Sequence, residues 1–204
     1  MNKIIRIVYI DDKIDNYLSR YLGELYFEDI EVYAREVTFD SGSENYITLL
    51  EKENVKLADI VIVDSKLFEN QSVDQKFSGE EFKMIYTTAN PYSKVIVISQ
   101  NDGLEKFGTI KKFNPTLGKG NPKEFYDHNL RVLIEDNIKE IIYKRNILTI
   151  LKNNSEAYKG SLIVEKINEL MEGTSSYKDL TDEKIDFLIE LIEKNIKPML
   201  DGDK

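Results

Sequence analysis

Cysteine is missing from all 204 residues. Disulfides, thiolate catalysis and cysteine-bound zinc are therefore excluded, and the absence fits a cytoplasmic protein in a reducing compartment. No apolar run reaches the roughly 18 residues a membrane-spanning helix needs. The chain enters its first apolar segment at Ile4 with no signal-peptide h-region before it, so a membrane is not an expected partner. Dense Lys/Arg runs are also lacking, and the net charge is −9. An acidic surface repels phosphate backbones and anionic lipid, which argues against nucleic acid as a direct partner. The deficit is spread evenly: residues 1–121 carry 15 basic and 20 acidic side chains and the remainder 13 and 17, so neither part is a basic DNA-binding module. Histidine occurs once, at His128.

What is present is an apolar content of 41%, enough to fill a core. Three short Val/Ile runs stand out. Ile4 to Ile10 stops at Asp11-Asp12, Ile60 to Val63 stops at Asp64, and Val95 to Ile98 stops at Ser99. Short runs without polar alternation read as strands buried on both faces of a parallel sheet. Ile30, Val32 and Val37 mark a strand nearer an edge, and Thr109 to Phe113 a weak fifth. Between them, Ile14 to Leu25, Tyr46 to Leu50, and Phe82 to Tyr86 behind Ser78-Gly79 have helical spacing. Residues 100–108 leave little room for a helix, and residues 65–78 are polar and irregular. Alternating β and α segments predict an α/β fold: a doubly wound, five-stranded parallel sheet with helices on both faces.

The character changes at Asn121-Pro122. Beyond it the pattern is helical to the end, with apolar stripes from Phe125 to Leu151, Leu162 to Met171 and Ile185 to Ile192. The division expected is residues 1–135 for the α/β domain and 136–204 for an all-α C-terminal region. That region suits dimerisation or output contacts.

In open parallel sheets the carboxyl ends of the strands line the ligand crevice. Asp11, Asp12, Asp64 and Ser99 all fall there. In this order they resemble the response-regulator receiver domain, the flavodoxin-like phospho-accepting half of two-component signalling, over roughly residues 3–135. Asp11-Asp12 is similar to the family's acidic pair, Asp64 to its phospho-acceptor, Ser99 to its Ser/Thr, and Ser78-Gly79 to the Asp-Gly that opens its third helix. The family's lysine has two candidates. Lys119 has the family's distance from Ser99 and is favoured; Lys112 fits only if the helix between the fourth and fifth strands is lost. Phe113 is the candidate for the aromatic of the fifth strand. His128-Asn129-Leu130-Arg131 is faintly similar to a phosphotransfer helix, but reads first as a surface or partly packed histidine.

The resemblance implies that Asp11, Asp12 and Asp64 hold Mg²⁺, while Asp64, Lys119 and Ser99 handle the phosphoryl group. The reasons are electrostatic. A carboxylate attacks an anionic phosphoryl group poorly unless a cation neutralises both, and Mg²⁺ prefers oxygen ligands. The partners implied are a histidine kinase or small phosphodonor upstream, and a protein bound through the C-terminal helices, which could also form a homodimer. Catalysis is expected only of the protein's own phosphorylation and dephosphorylation. The competing expectation is a receiver-like adaptor that takes no phosphate and serves as a constitutive scaffold. The discriminating feature is whether a lysine reaches Asp64.

Overall fold

The computed structural model describes residues 3–40, 42–67, 78–100, 109–116 and 120–153, with side chains to residue 150. All of them fall in the first of two compact units, Met1–Gly173. The stripes expected at 162–171 and 185–192, and most of the short 100–108 segment, lie outside the described residues.

Five strands form one parallel sheet: β1 (Ile4–Asp11), β2 (Glu31–Thr38), β3 (Ile60–Asp64), β4 (Lys94–Ser99) and β5 (Ile110–Lys111). Their order is β2-β1-β3-β4-β5. This is the flavodoxin-like order, in which the winding reverses between β1 and β3 and leaves a crevice beyond their carboxyl ends.

The side-chain period of two divides the core cleanly. Ile5, Ile7 and Tyr9 of β1, Ile60 and Ile62 of β3, and Ile96 and Ile98 of β4 face one layer. Val8 and Ile10, Val61 and Val63, and Val95 and Val97 face the other. The first layer is covered by α1 (Asn16–Gly23) through Leu18, Tyr21 and Leu22, and by the C-terminal helix. The second is covered by α2 (Tyr46–Glu51), the single turn α3 (Glu53–Lys56) and α4 (Gly79–Ala89), through Tyr46, Leu49, Val55, Phe82 and Tyr86. Both faces of the sheet are thus buried, as the unbroken apolar runs require.

Helix starts follow their capping residues. Asp15 accepts from the amides of Tyr17 and Leu18 and caps α1, so Asp11 and Asp12 are not needed for that task. Ser78 caps α4 in a reciprocal box with Glu81.

From Pro122 the chain runs through α5 (Pro122–Tyr126), a π-helical turn (Asp127–Arg131) and α6 (Val132–Asn153). Tyr126, Leu130, Ile134 and Ile138 are all buried in the first layer. Three successive steps of four would drift around an α-helix of about 3.6 residues per turn; the extra residue of the π turn absorbs that drift. His128 lies on the exposed side of this turn. The helix crosses residue 135 without a break, and Ile138 and Ile141 are buried in the same core as β1 and β3. Among the described residues no helix is long and apolar enough to cross a membrane.

α6 is fastened to the amino-terminal edge of the sheet. Arg145 pairs with Asp59 and donates to the Ile4 carbonyl at 2.8 Å, while Asp59 also accepts from the Arg6 amide at 2.8 Å. Burial pushes the Asp59 carboxyl up, and Arg145 opposes it. Arg145→Ala leaves a buried carboxylate short of its counter-ion and should cost about 2 kcal/mol in urea unfolding, below the value for a fully buried pair because Arg145 is partly exposed. A chain ending at residue 135 also loses Ile138 and Ile141 and should no longer unfold cooperatively.

Candidate functional site

The strand register builds the site. Pairing of β1 with β3 runs from Ile7↔Ile60 to Ile10↔Val63. One step further sets Asp11 level with Asp64 on the adjacent strand. Both continue the phase of the first layer, Asp11 following Tyr9 and Asp64 following Ile62. Two buried carboxylates about 5 Å apart, the spacing of neighbouring strands, repel one another unless a cation lies between them.

That cation is Lys112. β5 pairs with β4 through Ile98↔Ile110 and Ser99↔Lys111, and the Lys112 amide donates to the Ser99 carbonyl at 2.7 Å. Just past this short strand, Lys112 Nζ lies 2.6 Å from Asp11 Oδ2 and 2.7 Å from Asp64 Oδ1. The next residue, Phe113, is buried and packs edge-on against Tyr17 and Phe125, which fixes the backbone that delivers the lysine. Burial would push the Lys112 ammonium down, but Asp64 and Asp11 outweigh it and hold it above the ordinary lysine value. One ammonium cannot neutralise two carboxylates. Burial accordingly pushes the Asp64 carboxyl up in spite of Lys112, with Asp11 adding to the rise.

The remaining oxygens are also engaged. Asp64 Oδ2 accepts from the Lys66 amide at 2.9 Å and Asp11 Oδ1 from the Lys13 amide at 3.1 Å. Asp11 Oδ2 accepts a further hydrogen bond from the Tyr9 hydroxyl. Lys66 therefore contributes its backbone to Asp64. Ser99 is buried at the end of β4, one residue past Ile98, the register partner of Asp64. Asp12 is half-buried at the end of β1.

α4 closes in from the other side. A Cβ at Gly79 would lie 2.4 Å from the Asp64 carbonyl oxygen and 3.1 Å from the Ser65 Cα. Only glycine lets the helix start approach the acceptor strand this closely. The Gly79 amide donates to the Ser65 carbonyl at 3.1 Å. Glu80 next to it accepts from the Ser65 hydroxyl at 3.3 Å and from the buried Thr109 hydroxyl at 3.1 Å. One carboxylate thus ties the loop after β3 to the entry of β5.

Of the residues expected at the site, Asp11 and Asp64 meet around one ammonium, and Ser99 lies at the adjoining strand end. Lys119, favoured by its spacing from Ser99, lies outside the described residues, and the ammonium between the carboxylates belongs to Lys112. Tyr9 and Glu80 carried no signal in the sequence as site residues. The Tyr9 hydroxyl could have been found from its position two before Asp11, on the same side of the strand.

The donor set was weighed against Mg²⁺. Among the described residues no three acidic or histidine side chains are arranged to hold a metal ion. Mg²⁺ is commonly bound by one or two carboxylates plus a substrate's phosphate oxygens, and each oxygen of Asp64 keeps one lone-pair site beyond the donors described. The Asp11–Asp64 pair fits partial coordination of this kind.

No protein-family model matches this sequence, and no curated protein matches it. Solved structures similar to it include the signal receiver domain of an HD domain-containing protein from Pseudomonas fluorescens Pf-5, with 13% identity, 72% of this chain and 94% of that chain covered, and a TM-score of 0.46. Another is a two-component transcriptional regulator AraC from Clostridium phytofermentans ISDg, with 15% identity, 69% and 98% coverage and a TM-score of 0.44. A third is a response regulator receiver domain protein from Methanospirillum hungatei JF-1, with 20% identity, 70% and 99% coverage and a TM-score of 0.41.

Lys112→Met leaves two buried carboxylates without their cation and should cost about 3 kcal/mol at neutral pH. The loss should shrink as pH falls toward the ordinary aspartate range, because burial already raises the Asp64 carboxyl and removal of the lysine raises it further; urea midpoints at neutral and acidic pH measure it. In the unaltered protein the raised Lys112 value sets the opposite limit. Its contribution is complete below the ordinary lysine range and is lost as pH climbs through the raised value. Gly79→Ala must displace backbone at Asp64 and Ser65 and should cost about 1–3 kcal/mol, with amide shifts at both residues visible by NMR.

Proposed function

We propose that the protein is a phosphorylation-controlled signalling protein of the two-component type, with Asp64 as its acceptor. The observation that carries this reading is the Lys112 ammonium held between Asp11 and Asp64 at the winding reversal of the sheet. In the proposed step an Asp64 oxygen attacks phosphorus. An O–P bond forms, and the bond from phosphorus to the donor's imidazole nitrogen or carboxylate oxygen breaks, its electron pair leaving with the donor. The product is an acyl phosphate. Mg²⁺ held at the Asp11–Asp64 pair, with the donor's phosphate oxygens completing its shell, would supply charge neutralisation of nucleophile and phosphoryl group.

The chain's own residues do the rest. Lys112 follows the charge: its point ammonium pairs with Asp64 beforehand and with phosphoryl oxygens afterwards. Ser99 offers a hydroxyl from the end of β4. The Lys66 amide orients Asp64 Oδ2 and leaves Oδ1, shared with Lys112, as the nucleophile. The new group adds about −1.5 to −2 charge in a pocket that already holds excess negative charge. The donor would be a histidine kinase or a small phosphodonor, and the output a change in protein contacts through the region after residue 135.

The scaffold reading draws on a different observation: every oxygen of Asp11 and Asp64 already has a protein donor. Incubation with acetyl phosphate and Mg²⁺ followed by intact-mass measurement separates the two. A gain of one phosphoryl mass, absent in Asp64→Asn, is the expected result. A folded protein with no adduct would establish the scaffold instead.

A further inference from the structure

Tyr9 is a fully buried residue of β1 whose hydroxyl faces the site. It donates to Asp11 Oδ2 and accepts from the Asp15 amide at 3.2 Å. The same Oδ2 accepts from Lys112 Nζ at 2.6 Å, and that ammonium lies 6.0 Å from the centre of the Tyr9 ring. A carboxylate oxygen offers two lone-pair sites, so both sites on Oδ2 are taken. Oδ1 carries the Lys13 amide, which brings Asp11 to three donors against two for Asp64.

We propose that Tyr9 is a positioning residue that latches Asp11 onto Lys112 and so limits how readily the pocket takes a divalent cation. The inference rests on the phospho-acceptor reading of the pocket and deepens it. A cation that recruits Asp11 through Oδ2 must displace either a buried hydroxyl or a buried ammonium. Either displaced group loses a charge-assisted bond in a place with little water to replace it. With the hydroxyl in place, Asp11 serves as the lysine's counter-ion, and Asp64 keeps the more open oxygens. Without it, Asp11 gains an open lone pair on Oδ2 beside the one left on Oδ1, and some freedom to turn.

A buried tyrosine that merely satisfies its hydroxyl would, when trimmed to phenylalanine, alter stability and leave cation affinity alone. Calorimetric titration of MgCl₂ into the unphosphorylated full chain distinguishes the two. Tyr9→Phe should bind Mg²⁺ about five- to tenfold more tightly than the unaltered protein, the order of one charge-assisted hydrogen bond. Equal or weaker binding overturns the proposal, as does the absence of binding in both proteins. A second measurement needs no variant. The Tyr9 hydroxyl proton, assigned by its Overhauser contact to the Asp15 amide, should shift or vanish as Mg²⁺ saturates the protein, and a resonance unchanged at saturation is contrary evidence. Neither readout depends on phosphoryl transfer. An Asp64 adduct with no Tyr9 effect therefore sinks only the latch, whereas a Tyr9 effect with no adduct sinks only the acceptor reading.

Discussion

Two carboxylates level with each other on neighbouring parallel strands are an electrostatic problem, and the buried Lys112 ammonium answers it. Without a cation the arrangement of Asp11 beside Asp64 costs repulsion in a site where water cannot screen it. The solution is incomplete, since one positive charge serves two negative ones. That residue of negative charge is what the proposed cation would neutralise. The lysine is also a flexible point charge rather than a planar fork. It can follow a shift of negative charge without any movement of the strands. Strand register, the glycine contact at the start of α4 and the aromatic packing of Phe113 all serve to hold these three groups together.

The same packing supplies a route outward. Gly79 lies against the Asp64 carbonyl, and Glu80 next to it holds Ser65 with one oxygen and Thr109 with the other. Thr109 directly precedes β5, the strand that delivers Lys112. Charge added at Asp64, as proposed, would therefore act on a closed ring: the end of β3, the first turn of α4, the entry of β5, and back through the lysine. Glu80 is itself anionic. A more negative acceptor and a displaced lysine both change its surroundings, so the ring has a physical reason to respond to the pocket.

Much of this was legible in the sequence. The abrupt ends of the Val/Ile runs located β1, β3 and β4 and put Asp11 and Asp64 at neighbouring strand ends. Ser78-Gly79 marked the start of a helix. The lysine is less legible: spacing along the chain from Ser99 points to Lys119, whereas position across a sheet is set by pairing. A strand of two residues has no period to read, and only the pairing of Ser99 with Lys111 shows that the next residue enters the pocket. That α6 continues past residue 135 into the core is hidden for a related reason. A helical stripe cannot announce which surface it covers, and the π turn that keeps Tyr126, Leu130, Ile134 and Ile138 in line has no sequence signature of its own.

β3 carries an aspartate at each end, and the contrast explains why only one of them belongs to a site. Asp59, just before the strand, is nearly as buried as Asp64 and also has a cationic partner. Its oxygens, however, go to the Arg6 amide and to Arg145, whose guanidinium is pinned in turn by the Ile4 carbonyl. Every partner there is backbone or a fork held by backbone, at the amino-terminal edge, where a parallel sheet opens no crevice. Asp64 is held by one amide and by an ammonium it shares with Asp11, at the edge where the crevice does open. Burial and charge are alike at the two ends of the strand; what differs is the counter-charge, a fork pinned by backbone at Asp59 and a point charge shared between two carboxylates at Asp64.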